Sequence, residues 1–65
     1  MTEKQALAFI RSEVREYGVR DGIQGIALVV GLSWNTVYGW YRRKSVPQWR
    51  LHEINAAAKQ KRQSA

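Results

Sequence analysis

Ala27, Gly31, Val37 and Trp40 fall inside one run, residues 26–43, at spacings that suit two helices joined by a tight turn. A small residue at 27 lets two helices cross closely, and a glycine one turn later can end the first of them. Val37 and Trp40 then lie one helical turn apart on the second helix and face a core. The other side of that second helix is left facing outward.

The flanking sequence divides into further helices. Thr2 and Gln5 have the form of a capping box, and Leu7, Ile10, Val14 and Tyr17 recur at three- and four-residue steps until Gly18, which predicts a first helix over 3–17. Lys4, Arg11, Glu13, Arg15 and Glu16 lie off that stripe and read as a solvated face, with Arg11 and Arg15 within reach of a phosphate. Asp21, with Gln24 three positions on, is expected to cap a second helix over 22–30. Its residues Ile23, Ile26, Ala27, Leu28, Val29 and Val30 make it apolar nearly all round, which calls for contacts on more than one side. Such a run also suits a buried strand, but no alternating partner strand exists elsewhere in the sequence.

Gly31, Leu32 and Ser33 supply the turn, with Leu32 plugging the core and the Ser33 hydroxyl capping a third helix over 34–43. On that helix Val37, Trp40 and Tyr41 share the inner side, and Trp34, Asn35, Tyr38, Gly39 and Arg42 the outer. Ser45 and Gln48 suggest another capping box, and Pro47 suits a first helical turn. A fourth helix over 47–60 follows, with Leu51, Ile54, Ala57 and Ala58 as its apolar stripe and Trp49 packing back on the third helix or the loop before it. Residues 61–65 carry no apolar stripe and are expected to fray. The expected fold is all-α: one compact four-helix domain over 1–65.

A chain of 65 residues supports one small core, with a net stability of about 3–5 kcal/mol unless something else contributes. Dimerisation is the expected supplement. There is no cysteine and a single histidine, His52, so no metal or cofactor is expected. The N-terminus lacks a signal pattern and the longest apolar stretch, residues 26–30, is too short to span a bilayer, so no membrane contact and a cytoplasmic location are expected. The scattered carboxylates Glu3, Glu13, Glu16, Asp21 and Glu53 form no nucleophile-base-orienter set, and there is no glycine-rich phosphate loop. Neither an enzyme nor a small-molecule substrate is therefore expected.

The formal net charge is +6, and its distribution is uneven. Residues 1–22 balance, whereas Arg42, Arg43, Lys44, Arg50, Lys59, Lys61 and Arg62 face Glu53 alone. A one-sided basic field beginning where the third helix ends suits a polyanion. On the outer face, Asn35 can pair bidentately with an adenine edge in a major groove or, alternatively, make a local turn bond. Tyr38 offers a hydroxyl and a ring for a thymine methyl. Gly39 costs about 1 kcal/mol inside a helix, which close backbone approach to DNA, mere tolerance or a neighbouring helix would each explain. Trp34 either packs on sugar-phosphate or a thymine methyl, or covers the loop before the fourth helix. Arg42 can read guanine or clamp a phosphate, and Arg43 and Lys44 suit phosphates. Backbone N–H groups at the start of the second helix, Gly22 and Ile23, are further phosphate anchors, as is Arg50 near the start of the fourth.

At Ala27, Gly31, Ser33, Thr36, Val37 and Trp40, followed by a basic loop, Val46-Pro47 and another helix, residues 21–58 resemble the small Cro-like helix-turn-helix repressors of temperate phages, a lambda-repressor-like fold. The resemblance implies a bacterial, nucleoid-associated homodimer that binds a palindromic operator with helix 34–43 in the major groove and represses phage or prophage promoters. It adds Ser33, Thr36 and Gln24 as DNA backbone contacts, although the place that relatives fill with glutamine is Ile23 here, with Gln24 next to it. The C-terminal β-hairpin through which some Cro proteins dimerise is missing, so the fourth or first helix would have to supply that surface. The competing expectation is a non-enzymatic protein-binding module, such as a phage inhibitor, adaptor or antitoxin, using Trp34, Tyr38 and Trp49 as an aromatic anchor.

Overall fold

Thr2 starts the fold with the capping box that its sequence signals: the Gln5 N–H donates to the Thr2 hydroxyl at 3.1 Å, and the Thr2 N–H to the Gln5 side chain at 2.9 Å. A computed structural model describes residues 1–64, with side chains through residue 61. From the cap, α1 (Glu3–Val30) runs to the tight turn at Gly31, and α2 (Trp34–Arg43) follows. A short 3₁₀ turn (Gln48–Arg50) then leads into α3 (Leu51–Ser64). Every helical or helix-like element is thus accounted for without a strand among the described residues, and the all-α class holds.

Among the described residues three α-helices, rather than the expected four, make up the domain. The first two expected helices join at Gly18, whose backbone sits at φ 89°, ψ 164°, a combination that only glycine adopts at low cost. One residue thus does the work expected of a loop over 18–21. Residues 3–17 form one arm of α1 and residues 19–30 the other. Asp21 therefore lies inside the second arm and does not cap its start.

The two arms cross at Gly22. A Cβ there would stand 2.6 Å from the Glu13 carbonyl oxygen and 2.9 Å from the Val14 Cα, so the backbones meet where no side chain fits. Ile23 and Ile26 follow into the core beside Ile10 and Ala6 of the first arm. Val37 and Trp40 from α2, Val46 from the loop and Ile54 from α3 close it. Leu7, Val14, Leu32, Tyr41 and Leu51 are partly buried around this cluster.

Several expectations about packing are corrected. Tyr17, placed on the first apolar stripe, is half exposed because the chain turns away at Gly18. Leu28 and Val29 are exposed at 72% and 45%, so the all-round apolar second arm is covered on one side only. Ser45 and Gln48 form no capping box: Pro47 precedes the 3₁₀ turn without a side-chain cap, and α3 begins at Leu51 instead of 47. The Ser45 hydroxyl and the Val46 N–H both donate to Glu3, at 3.3 and 3.0 Å, which draws the loop onto the first arm. Trp49, expected to pack back on α2 or its preceding loop, is 66% exposed.

Residues 61–64, expected to fray, continue α3, and Ala65 lies outside the described residues. The physical reason is Lys61, whose ammonium donates to Glu13 and, at 3.0 Å, to Glu16 on the first arm of α1. Those two carboxylates, Glu13 foremost, raise the Lys61 pKa above its ordinary value. The charged side of the first arm is thus partly a tether for α3 and not wholly a solvated face.

The crossing at Gly22 generates a paired test. Gly22→Ala is expected to lose about 1–3 kcal/mol, as overpacking of a tight contact does. Gly25→Ala, in the same arm with nothing within 4 Å of the added carbon, is expected to gain up to about 1 kcal/mol from helix propensity. Urea unfolding followed by circular dichroism reads both, and equal stability of the two variants would refute the close crossing.

Candidate nucleic-acid interface

Gly31 ends α1 in the left-handed region at φ 74°, ψ 28°, with its N–H and that of Leu32 both donating to the Ala27 carbonyl, at 2.9 and 3.1 Å. Two residues later Ser33 caps α2, accepting from the Thr36 N–H at 3.3 Å, while the Ser33 and Thr36 hydroxyls share a 2.8 Å hydrogen bond. The turn expected at 31–33 is therefore present, and Ser33 and Thr36 stand exposed at the start of α2, each already engaged in its cap.

Val37 and Trp40 are buried, at 0% and 3% exposure, which fixes the rotation of α2 and turns Asn35 and Arg42 outward. Trp34 and Tyr38 are half-buried. Their rings stack at 4.7 Å between centroids and 19° between planes, and the Trp34 indole N–H donates to the Arg20 carbonyl at 3.0 Å. Trp34 thus pins α2 to the second arm of α1 and does not cover the loop before α3. Tyr38 also lies 6.3 Å from the Tyr41 ring, and its hydroxyl accepts from the Arg42 guanidinium at 3.5 Å. Trp34, Tyr38 and Arg42 consequently form one continuous stripe along α2 at four-residue steps.

Gly39 has a structural reason of its own. The Arg43 guanidinium folds back along the helix so that a Cβ on Gly39 would meet its Nη1 at 3.2 Å and its Nη2 at 3.3 Å. Asn35, Gly39 and Arg43 make a second stripe beside the aromatic one, with a cationic plane lying where a side chain is missing. Arg43, expected at phosphates, thus joins Asn35 and Arg42 on the outer face.

Of the expected phosphate anchors, Gln24 is exposed on the second arm. Ile23 is not available: it is fully buried, and because the arm starts at residue 19 its N–H lies a turn inside the helix, where the preceding carbonyls use it. The same holds for Gly22, which the Glu13 backbone covers. Arg50 is half-buried, paired with Glu53 at 2.8 Å, and lies 4.1 Å over the Trp49 ring. That ion pair at i,i+3 is legible in the sequence and explains why Arg50 is not a free anchor. Lys44 holds the left-handed C-cap of α2 at φ 57°, ψ 41°, with its N–H donating to the Trp40 carbonyl.

The charge is sorted by these pairings. Glu13 and Glu16 hold Lys61, Glu53 holds Arg50, and Glu3 serves the loop at 45–46. Among the described residues Arg42, Arg43 and Lys44 enter none of these ion pairs, nor do Lys4, Arg11, Arg15, Arg20 and Lys59; three consecutive cations make the C-terminal end of α2 positive. Arg11, assigned to the solvated face, stands across from Tyr41, Arg42 and Lys44 over a shared cleft. Among the described residues no group of three or more potential metal ligands occurs, and no helix is long and apolar enough to cross a membrane.

No protein-family model matches the chain, and no curated protein or solved structure is significantly similar to it.

Because the atoms facing Gly39 are the far end of a flexible arginine, Gly39→Ala is expected to leave the fold intact and to add up to about 1 kcal/mol of stability. Thermal denaturation measures this, and a loss of stability would mean that the glycine is required by packing on its neighbours.

Proposed function

We propose that this chain is a sequence-specific double-stranded DNA-binding regulator, a Cro-like repressor that sets α2 into the major groove of a palindromic operator as a homodimer. The observation that carries the reading is the outer face of α2: Asn35 exposed on the first turn, Arg43 laid along Gly39 beside it, and unpaired cations gathered at the same helix's end. A major groove admits one helix and offers each base pair a distinct set of donors and acceptors. An exposed amide at position 35 and the planar guanidinium of Arg43, folded back beside Gly39, match that chemistry. Ser33, Thr36, Arg42 and Lys44 serve the sugar-phosphate backbone in this reading, as does Gln24. Trp34 and Tyr38 hold α2 in place and offer their exposed edges to the groove wall.

The second copy is proposed to dock on the groove lined by Phe9, Tyr17, Gly25, Val29 and Ala57, with Leu28 exposed beside it. The charged groups in that groove include Glu13 and Lys61, which neutralise each other. Two copies each carrying +6 meet least repulsion there. The face combines both arms of α1 with α3.

Binding of a duplex selected from a random pool, followed across salt, tests the function. Neutralising about six phosphates per dimer predicts a thousandfold weakening, roughly, between 50 and 200 mM salt. Asn35→Ala is expected to cost about 1–3 kcal/mol on the selected duplex and nothing on random DNA. Equal losses on both duplexes would remove Asn35 from base readout, and affinity insensitive to salt would overturn the DNA reading altogether. For the dimer, Leu28→Glu is expected to yield a monomer in sedimentation equilibrium while leaving the melting temperature of the isolated protomer unchanged.

A further inference from the structure

Arg11, Tyr41, Arg42 and Lys44 line an open cleft of about 500 Å³ between the first arm of α1 and the C-terminal end of α2. Three of its four walls are cations, all exposed at the surface, and the fourth is a half-buried phenol anchored against the core. Among the described residues no carboxylate lines it. Lys61 is matched with Glu13 and Glu16, and Arg50 with Glu53. Here like charges converge from two separate elements, an arrangement that mutual repulsion disfavours unless an anion enters.

Lys44 supplies an independent observation. Among the described residues it is the non-glycine residue with a positive φ, at 57°, on a helix C-cap where glycine is the favoured occupant. The chain instead keeps a lysine there and so places an ammonium at the cleft. Such a departure from the sterically favoured residue is characteristic of a site at which the side chain itself is used.

We infer that this cleft binds a phosphate group, held by Arg11 from the first helix and by Arg42 and Lys44 from α2, with the Tyr41 hydroxyl as a further donor. Arginine matches phosphate through paired N–H donors, and lysine adds a point charge. The phosphate comes from a nucleic-acid backbone, because the cleft continues the Arg42 stripe of α2, the face proposed to meet DNA. This source rests on the DNA reading above. It extends the contact surface beyond the helix-turn-helix onto the middle of the first helix, and it assigns binding roles to Arg11 and Tyr41.

The test uses the full chain, inorganic phosphate, a random-sequence duplex and the variants Arg11→Gln and Lys44→Gly. Phosphate titration, followed through the arginine Nε–H resonances by NMR, is expected to give saturable shifts at Arg11 and Arg42 that each variant weakens. On the duplex, each variant is expected to reduce the slope of log K against log salt by about one, with a uniform loss of affinity across sequences. Lys44→Gly is expected to fold at least as well as the parent, so weaker binding by it is not a failure of folding. Saturable phosphate shifts with an unchanged salt slope would overturn the backbone source while leaving DNA binding intact. Phosphate binding by a parent chain that binds no duplex would overturn both the DNA reading and this source, as would displacement of phosphate by polyglutamate but not by DNA. An absence of saturable shifts together with an unchanged slope would overturn the site.

Discussion

The contact on which the rest depends is the meeting of two backbones at Gly22. Once Gly18 has turned the chain in a single residue, the second arm of α1 can lie on the first only if position 22 has no side chain, because the Glu13 carbonyl occupies the space that one would fill. That crossing brings Ile23 and Ile26 against Ile10, and this apolar seam is the floor on which Val37 and Trp40 of α2 rest. Burial of those two residues sets the rotation of α2, and its rotation decides that Asn35 and Arg43 point away from the body. The orientation of the candidate interface is therefore inherited from a hydrogen atom in the middle of the first helix.

Polar contacts then lock what apolar burial has arranged. Trp34 ties the start of α2 to Arg20, Glu3 gathers the loop after α2, and Lys61 fastens α3 to Glu13 and Glu16. The Lys61 pairing keeps two carboxylates on the side of the first arm that faces α3, whereas Glu3 stands beside residues 45 and 46, next to the end of α2. Acidic groups thus act as tethers within the body, and among the described residues none forms an ion pair with the arginines and the lysine at 42–44. Exposed ion pairs contribute little to stability one by one, so their larger effect is on where the net charge resides.

The local signals in the sequence were the legible ones. The capping box at Thr2, the glycine turn at 31, the cap at Ser33 and the inward pair Val37 and Trp40 all rest on contacts between residues no more than a few positions apart, and each is present. Gly18 was legible as a stop but not as a hinge, because whether a chain restarts its helix at once depends on what the next arm packs against. The same limit hid Gly22 and moved the helix start away from Ile23. Arg50 and Glu53 stand at a helical spacing that announces their pairing, whereas Lys61 lies 48 positions from Glu13 and nothing local couples them. On the outer face Asn35 followed from periodicity alone. The fold-back of Arg43 onto Gly39 and the approach of Arg11 to α2 required the packed structure.

The two tethers also bear on how the domain forms. Glu3 reaches residues 45 and 46, and Glu13 reaches 61, so the first arm is completed only by segments far along the chain. Closing loops of that length costs entropy before any contact repays it. No sub-segment owns both a finished core and satisfied tethers. A small domain tied together in this way is expected to assemble in one cooperative step, so that α2 has no stability apart from the body that it stands on.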